Sequence, residues 1–201
     1  GVDEIVDLGM RVGGGPAGLE AARVDSVPVL DRIVVAVDPA VTAGAGSDEC
    51  GIIVAGVVST GPAQDWRAIV LEDCTARGRP TDWARAAIAA REKWGAERLV
   101  AEVNQGGDLV ESVLRQIDPL VPFKALRAAR GKAARAEPVA ALYEAGRVRH
   151  AAPFPELEDE MRAFTPEGSA AGRSPDRLDA LVWALTALTA PVTASPQKQR
   201  H

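Results

Sequence analysis

Asp38 ends the apolar run Ile33-Val34-Val35-Ala36-Val37, Glu102 ends Leu99-Val100-Ala101, and Asp176 and Asp179 stand one turn apart at the head of an apolar helical pattern. In open α/β sheets sites gather at strand ends, and an acid that closes a wholly apolar strand is costly unless a cation compensates its charge. A pair of divalent ions would do so. Two-metal phosphoryl chemistry needs carboxylates that hold the ions roughly 4 Å apart, one ion activating water and the other stabilising the leaving oxygen. The Asp-x-x-Asp spacing puts two like charges on one helix face, where they repel unless a cation or solvent separates them. Taken singly, each acid has an ordinary explanation: a turn before Pro39, a solvated strand end, or a charge complementing a helix dipole. Asp48, within Gly46-Ser47-Asp48-Glu49-Cys50-Gly51, reads either as a turn aspartate or as a ligand acting through water.

Other chemistries have little to work with. The chain holds 2 cysteines, Cys50 and Cys74, and 2 histidines, His150 and His201, with no CxxC or Cys/His spacing. A disulfide framework and a structural zinc site are therefore not indicated, and any histidine-dependent catalysis would rest on His150 alone. Hard carboxylate oxygens without nitrogen or sulfur partners favour magnesium or manganese. The glycine-rich stretch Gly13-Gly14-Gly15-Pro16-Ala17-Gly18 lacks the Gly-Lys-Ser/Thr ending of a phosphate loop and reads as a linker.

With a net charge of -5 and a pI near 5.2, the chain as a whole does not attract nucleic acid, so such binding needs a local basic patch or bound cations. A patch exists. Lys124, Arg127, Arg130, Lys132 and Arg135 follow one another with no acid between them, which suits either sequence-independent phosphate contacts or a solvated face.

The elements that must position these groups belong to an α/β domain: a mixed five-stranded sheet flanked by helices. Strands are expected at 33–37, 51–59, 67–74, 98–103 and 123–126. A helix capped by Thr81 runs to Trp94, others cover about 107–116, 135–144 and 154–164, and a last one opens at Ser174-Pro175 and stops at Pro191. Residues 1–30 read as an N-terminal tail or linker, 31–190 as the domain and 191–201 as a flexible C-terminal tail. The composition, 47% hydrophobic and 25% charged, without an apolar run of about 20 residues or a signal-peptide pattern, suggests a soluble intracellular protein.

Several segments together carry a resemblance: Val34-Val35-Ala36-Val37-Asp38-Pro39-Ala40, the Ser47-Asp48-Glu49-Cys50-Gly51 turn, Val100-Ala101-Glu102-Val103-Asn104-Gln105-Gly106-Gly107, and Pro175-Asp176-Arg177-Leu178-Asp179-Ala180-Leu181. In order and spacing they resemble the nuclease domain of tailed-phage large terminase subunits, over about residues 30–190. The resemblance implies a ribonuclease H-like fold, shared with RuvC-type resolvases. It also implies a magnesium- or manganese-dependent endonuclease, using two ions, that cuts double-stranded DNA during genome packaging in the bacterial host cytoplasm. Asp38, Glu102 and Asp176 would be the metal-binding acids, with Asp179 a fourth. Pro175 stands where members often carry another aspartate, which leaves either Asp176 or Asp179 as the main third ligand. Lys132 and Arg135 resemble a basic pair that contacts DNA. A packaging ATPase, a portal and a small terminase subunit are the implied partners, and no Walker pattern for the ATPase occurs here. Alternatives are a Holliday-junction resolvase-like nuclease, an actin-like nucleotide binder suggested by Asp38 to Thr42 but departing at Ala40, and a non-catalytic adaptor.

Overall fold

The computed structural model describes residues 22–39, 49–103, 108–128, 131–165, 168–169 and 175–189. Asp48, Arg130, the glycine-rich stretch near Gly14 and the expected C-terminal tail lie outside the described residues.

Strand β1 (Arg32–Pro39) pairs antiparallel with β2 (Glu49–Val58), which pairs antiparallel with β3 (Arg67–Asp73). The short β4 (Ala76–Arg77) folds back onto β2. Helix α1 (Pro80–Trp94) then crosses to β5 (Arg98–Glu102), parallel to β1, and α2 (Asp108–Ile117) crosses to β6 (Phe123–Leu126), parallel to β5. After α3 (Lys132–Glu144), β7 (Val148–His150) joins the far edge parallel to β3. Helix α4 (Pro155–Ala163), a small hairpin of β8 (Phe164–Thr165) and β9 (Gly168–Ser169), and α5 (Asp176–Thr189) complete the described chain. The main sheet is seven-stranded, ordered β6-β5-β1-β2-β3-β7 with β4 set against β2. Its five longer strands are those expected; β4 and β7 extend it and are too short for sequence periodicity to register.

Both faces of the sheet are covered, which is why Val34 to Val37 have no exposed surface at all. Val34, Ala36, Ile53, Ala55 and Val100 share a core with α3, α4 and α5, while Val35, Val37, Ile52, Val54, Leu99 and Ala101 share one with α1 and α2. Helix α5 is apolar on nearly every side, and Leu178, Leu181, Leu185 and Leu188 are all buried, the pattern of a helix enclosed by its own domain.

Two boundaries differ from expectation for local reasons. Helix α1 starts at Pro80 rather than behind a Thr81 cap: Arg79 occupies the cap position, its backbone N–H donating to Asp82 Oδ2 at 2.9 Å, and Pro80 fills the first helical position, where a missing N–H is harmless. Helix α3 begins at Lys132, a turn earlier than expected, so Lys132 and Arg135 both sit in its first turn, at the positive end of the helix dipole. Residues 22–24, which fall in the expected tail, run along β7: Val24 N–H donates to His150 O at 3.1 Å and His150 N–H to Ala22 O at 2.8 Å.

Candidate active site

The β1–β5 register pairs Val37 with Ala101, so the next residues, Asp38 and Glu102, end neighbouring parallel strands at the same end of the sheet. Side chains alternate along a strand, and Ala36 and Val100 face α5. Asp38 and Glu102 therefore face it too. Helix α5 starts over this end, bringing its first-turn acids Asp176 and Asp179 with it; both are buried. Gly51, paired with Asp38 across β1 and β2, lets the helix come so close. A Cβ at this position would lie 2.0 Å from Asp176 O and 2.4 Å from its carbonyl carbon. Only glycine leaves room for that backbone.

The convergence shows in the charges. Burial, first, and then the neighbouring Asp179, Asp176 and Glu102 carboxylates push Asp38 up to about 8, against the pull of Lys132. Burial also raises Asp179, although Lys132 and Arg135 oppose it. Lys132 Nζ donates to Asp179 Oδ2; burial works against its charge, but Asp179, Asp38 and Asp176 hold it protonated. Arg135 lies 3.2 Å from Glu102 Oε2, to which Trp183 Nε1 also donates at 3.0 Å, and the guanidinium sits 4.8 Å from the Trp183 ring centre. Two cations at a helix N-terminus are unfavourable for the dipole, and the facing acids offset that cost. The acids still outnumber the cations, which is the electrostatic condition that bound dications would relieve. The donors are hard carboxylate oxygens, which fit magnesium or manganese. Among the described residues, no group of three or more His, Cys, Asp or Glu side chains is already gathered around one ion position. Asp179 and Glu102 are instead engaged by Lys132 and Arg135.

Of the predicted basic residues, Lys132 and Arg135 thus stand against the acids, while Lys124 and Arg127 are exposed on and just after the edge strand β6. Several participants had not been anticipated. Arg177, between the two helix acids, turns to the opposite side: its guanidinium meets Glu49 Oε1, donates from Nε to Asp73 Oδ2 at 3.0 Å and approaches Glu160 Oε1 at 3.5 Å. Glu160 Oε2 also accepts the Leu178 N–H at 2.9 Å. Burial chiefly, with Asp176 adding to it, pushes Glu160 up to about 6. Asp73 closes β3 much as Asp38 closes β1, a signal visible in the sequence; Glu160 and Trp183 carry none.

His150 takes no part. It is fully buried on β7, beyond β3, with Nε2 2.8 Å from the Tyr143 hydroxyl and Nδ1 3.4 Å from Glu158 Oε1. Burial lowers it to about 4, outweighing the attraction of Glu158. A neutral ring in this setting turns its N–H toward the Glu158 carboxylate and accepts the Tyr143 O–H at Nε2. Cys50 and Cys74 are free thiols; Cys50 is buried, and burial together with Asp38 and Asp176 pushes its pKa well up, so it stays neutral.

Comparison with solved structures gives the same architecture. The nuclease of the large terminase from thermophilic phage G20c with bound cobalt matches with a TM-score of 0.54 at 20% identity, over 77% of this chain and 81% of that one. A variant nuclease domain of the large terminase subunit gp2 of bacterial virus Sf6, with manganese and β-thujaplicinol, matches with a TM-score of 0.57 at 14% identity, over 83% and 95%. The large terminase of another thermophilic bacteriophage, in complex with ADP, matches with a TM-score of 0.58 at 11% identity, over 84% of this chain but 42% of that protein. No curated protein matches the sequence. The family model for the terminase RNaseH-like domain matches residues 35–188, which takes in both acid-bearing strands, the basic turn of α3 and nearly all of α5. With that span matched and the same fold in the terminase nucleases, the chain belongs to the terminase RNaseH-like domain family.

Proposed function

We propose that this domain is a divalent-metal-dependent endonuclease that hydrolyses phosphodiester bonds of double-stranded DNA during phage or phage-like genome packaging. One observation carries the reading: Asp38, Glu102, Asp176 and Asp179, far apart in sequence, share one end of the sheet closely enough for Asp38 to be pushed up to about 8. Family membership, and terminase nuclease structures with bound cobalt, magnesium or manganese, support it.

Asp38, Glu102 and the α5 aspartates Asp176 and Asp179 would together hold two magnesium or manganese ions. When bound, such ions supply an activated water and a positive charge opposite the departing 3′-oxygen. The chain's own residues do the rest. Trp183 holds Glu102 by its indole N–H, fixing one carboxylate oxygen. Lys132 and Arg135, which pair with Asp179 and Glu102 here, would contact the scissile and neighbouring phosphates of bound DNA. Lys124, Arg127 and Arg130 would extend the phosphate track without reading bases, giving salt-sensitive binding with little sequence preference.

The domain would span residues 31–190 together with the segment 22–24 that pairs with β7, and act in the bacterial host cytoplasm with a packaging ATPase, a portal and a small terminase subunit. Among the described residues no helix is long and apolar enough to cross a membrane. Plasmid cleavage in magnesium or manganese tests the reading: the parent should nick and linearise DNA and lose the activity in EDTA. An Asp38→Asn protein that cuts as fast as the parent would end it, and a strong preference for four-way junctions over linear duplex would redirect it to junction resolution.

A further inference from the structure

We infer that Arg177 is a positioning residue for the acids of α5, a role that rests on the metal-dependent reading above. Arg177 lies between Asp176 and Asp179 in sequence, yet its side chain leaves the acid cluster and is gripped by Glu49 of β2, Asp73 of β3 and Glu160 of α4. It is mostly buried, as are Glu49 and Asp73, at 16%, 9% and 11% side-chain exposure. Burial alone would disfavour its charge, but Asp73, Glu49 and Glu160 hold it charged.

A planar guanidinium reaches several carboxylates in fixed directions, which an ammonium does not. The contacts therefore locate the first turn of α5 with respect to three separate elements. Two further contacts act on the same turn: Glu160 takes the Leu178 N–H at 2.9 Å, and Gly51 lies directly against the Asp176 and Arg177 backbone. The result is a division of labour among neighbouring acids. Glu49, Asp73 and Glu160 hold the arginine, Glu49 sharing itself with Arg77 through Oε2, while Asp176 and Asp179 join Asp38 and Glu102, with Asp176 still near enough to Glu160 to help raise it. Without Arg177, Glu49 would keep Arg77 but Asp73 and Glu160 would lose this cation and the helix turn its lateral anchor, so Asp176 and Asp179 would no longer be held to the sub-ångström tolerance that ion binding requires.

Isothermal titration of MnCl2 into the full chain, with thermal unfolding in EDTA as the fold check, separates positioning from general stability. Arg177→Gln should still melt cooperatively in EDTA while binding Mn2+ about 10–100-fold more weakly than the parent, the usual range for residues that orient metal-binding groups. Arg177→Lys should recover only part of that loss. An Arg177→Gln protein that folds and binds Mn2+ within twofold of the parent would overturn the inference. Should Arg177→Gln fail to fold, Arg177→Lys decides: parent-like affinity overturns the role, and weakened affinity in a folded protein supports it. If the parent itself takes up no Mn2+, the metal-dependent reading fails first, and the positioning role falls with it.

Discussion

Gly51→Ala isolates the step from packing to chemistry. The added Cβ would meet Asp176 O at 2.0 Å, its carbonyl carbon at 2.4 Å and Arg177 N at 3.0 Å, all backbone atoms that cannot rotate away. Restoring an ordinary separation requires the first turn of α5 to lift by about 1 Å or more, and overpacking of this kind costs roughly 1–3 kcal/mol. For a domain of this size about 2 kcal/mol lowers the melting temperature by roughly 4–8 °C. The same displacement moves Asp176 and Asp179 relative to Asp38 and Glu102, and a misplacement of about 1 Å at a catalytic centre is enough for a roughly 100-fold loss of rate. Melting in EDTA and plasmid cleavage in saturating Mn2+, both read well below the lower melting temperature, give the two numbers. A protein that melts within a degree of the parent and cleaves at the same rate would refute the claim that this glycine sets the helix against the sheet.

Other expectations follow from the charges. Asp38→Asn removes one of the crowded acids, so the metal-free protein should melt roughly 2–4 °C higher, equivalent to about 1 kcal/mol, while Mn2+ no longer raises its melting temperature; differential scanning calorimetry with and without Mn2+ checks both. His150, lowered to about 4 from 6.5, stays neutral in the fold where the unfolded chain protonates, so its contribution is fully present above about pH 6.5 and is lost as pH falls toward 4. That loss should be about 3 kcal/mol, and urea titrations of His150→Gln should show a flatter stability profile over this window. Lys132→Ala should weaken binding of catalytically inert Asp38→Asn protein to duplex DNA uniformly across sequences and reduce the salt slope by about 1, measured by fluorescence anisotropy. Because Lys132 is half exposed, its loss should cost only roughly 1 kcal/mol of stability.

Much of this could be read directly along the chain because the relevant signals are local. A β-branched run that ends in an acid, as at Val37-Asp38, and an Asp-x-x-Asp pair heading an apolar helix are costly patterns that stand out within a few residues. The five longer strands and the apolar α5 were legible for the same reason. The short strands β4 and β7 were not, since two or three residues show no period and exist only because a neighbouring edge was open to pair with them. Nor could local pattern show that Lys132 and Arg135 would face Asp179 and Glu102, that Gly51 would lie against the Asp176 backbone, or that Arg177 would turn from its neighbouring aspartates toward Glu49, Asp73 and Glu160. Those relations depend on the parallel pairing of β1 with β5 and the seating of α5 across β2, contacts between segments far apart in sequence. Residue types and spacing determine which groups bear charge; chain packing alone decides which charges share a low-dielectric space, and there the energy of each depends on all the others.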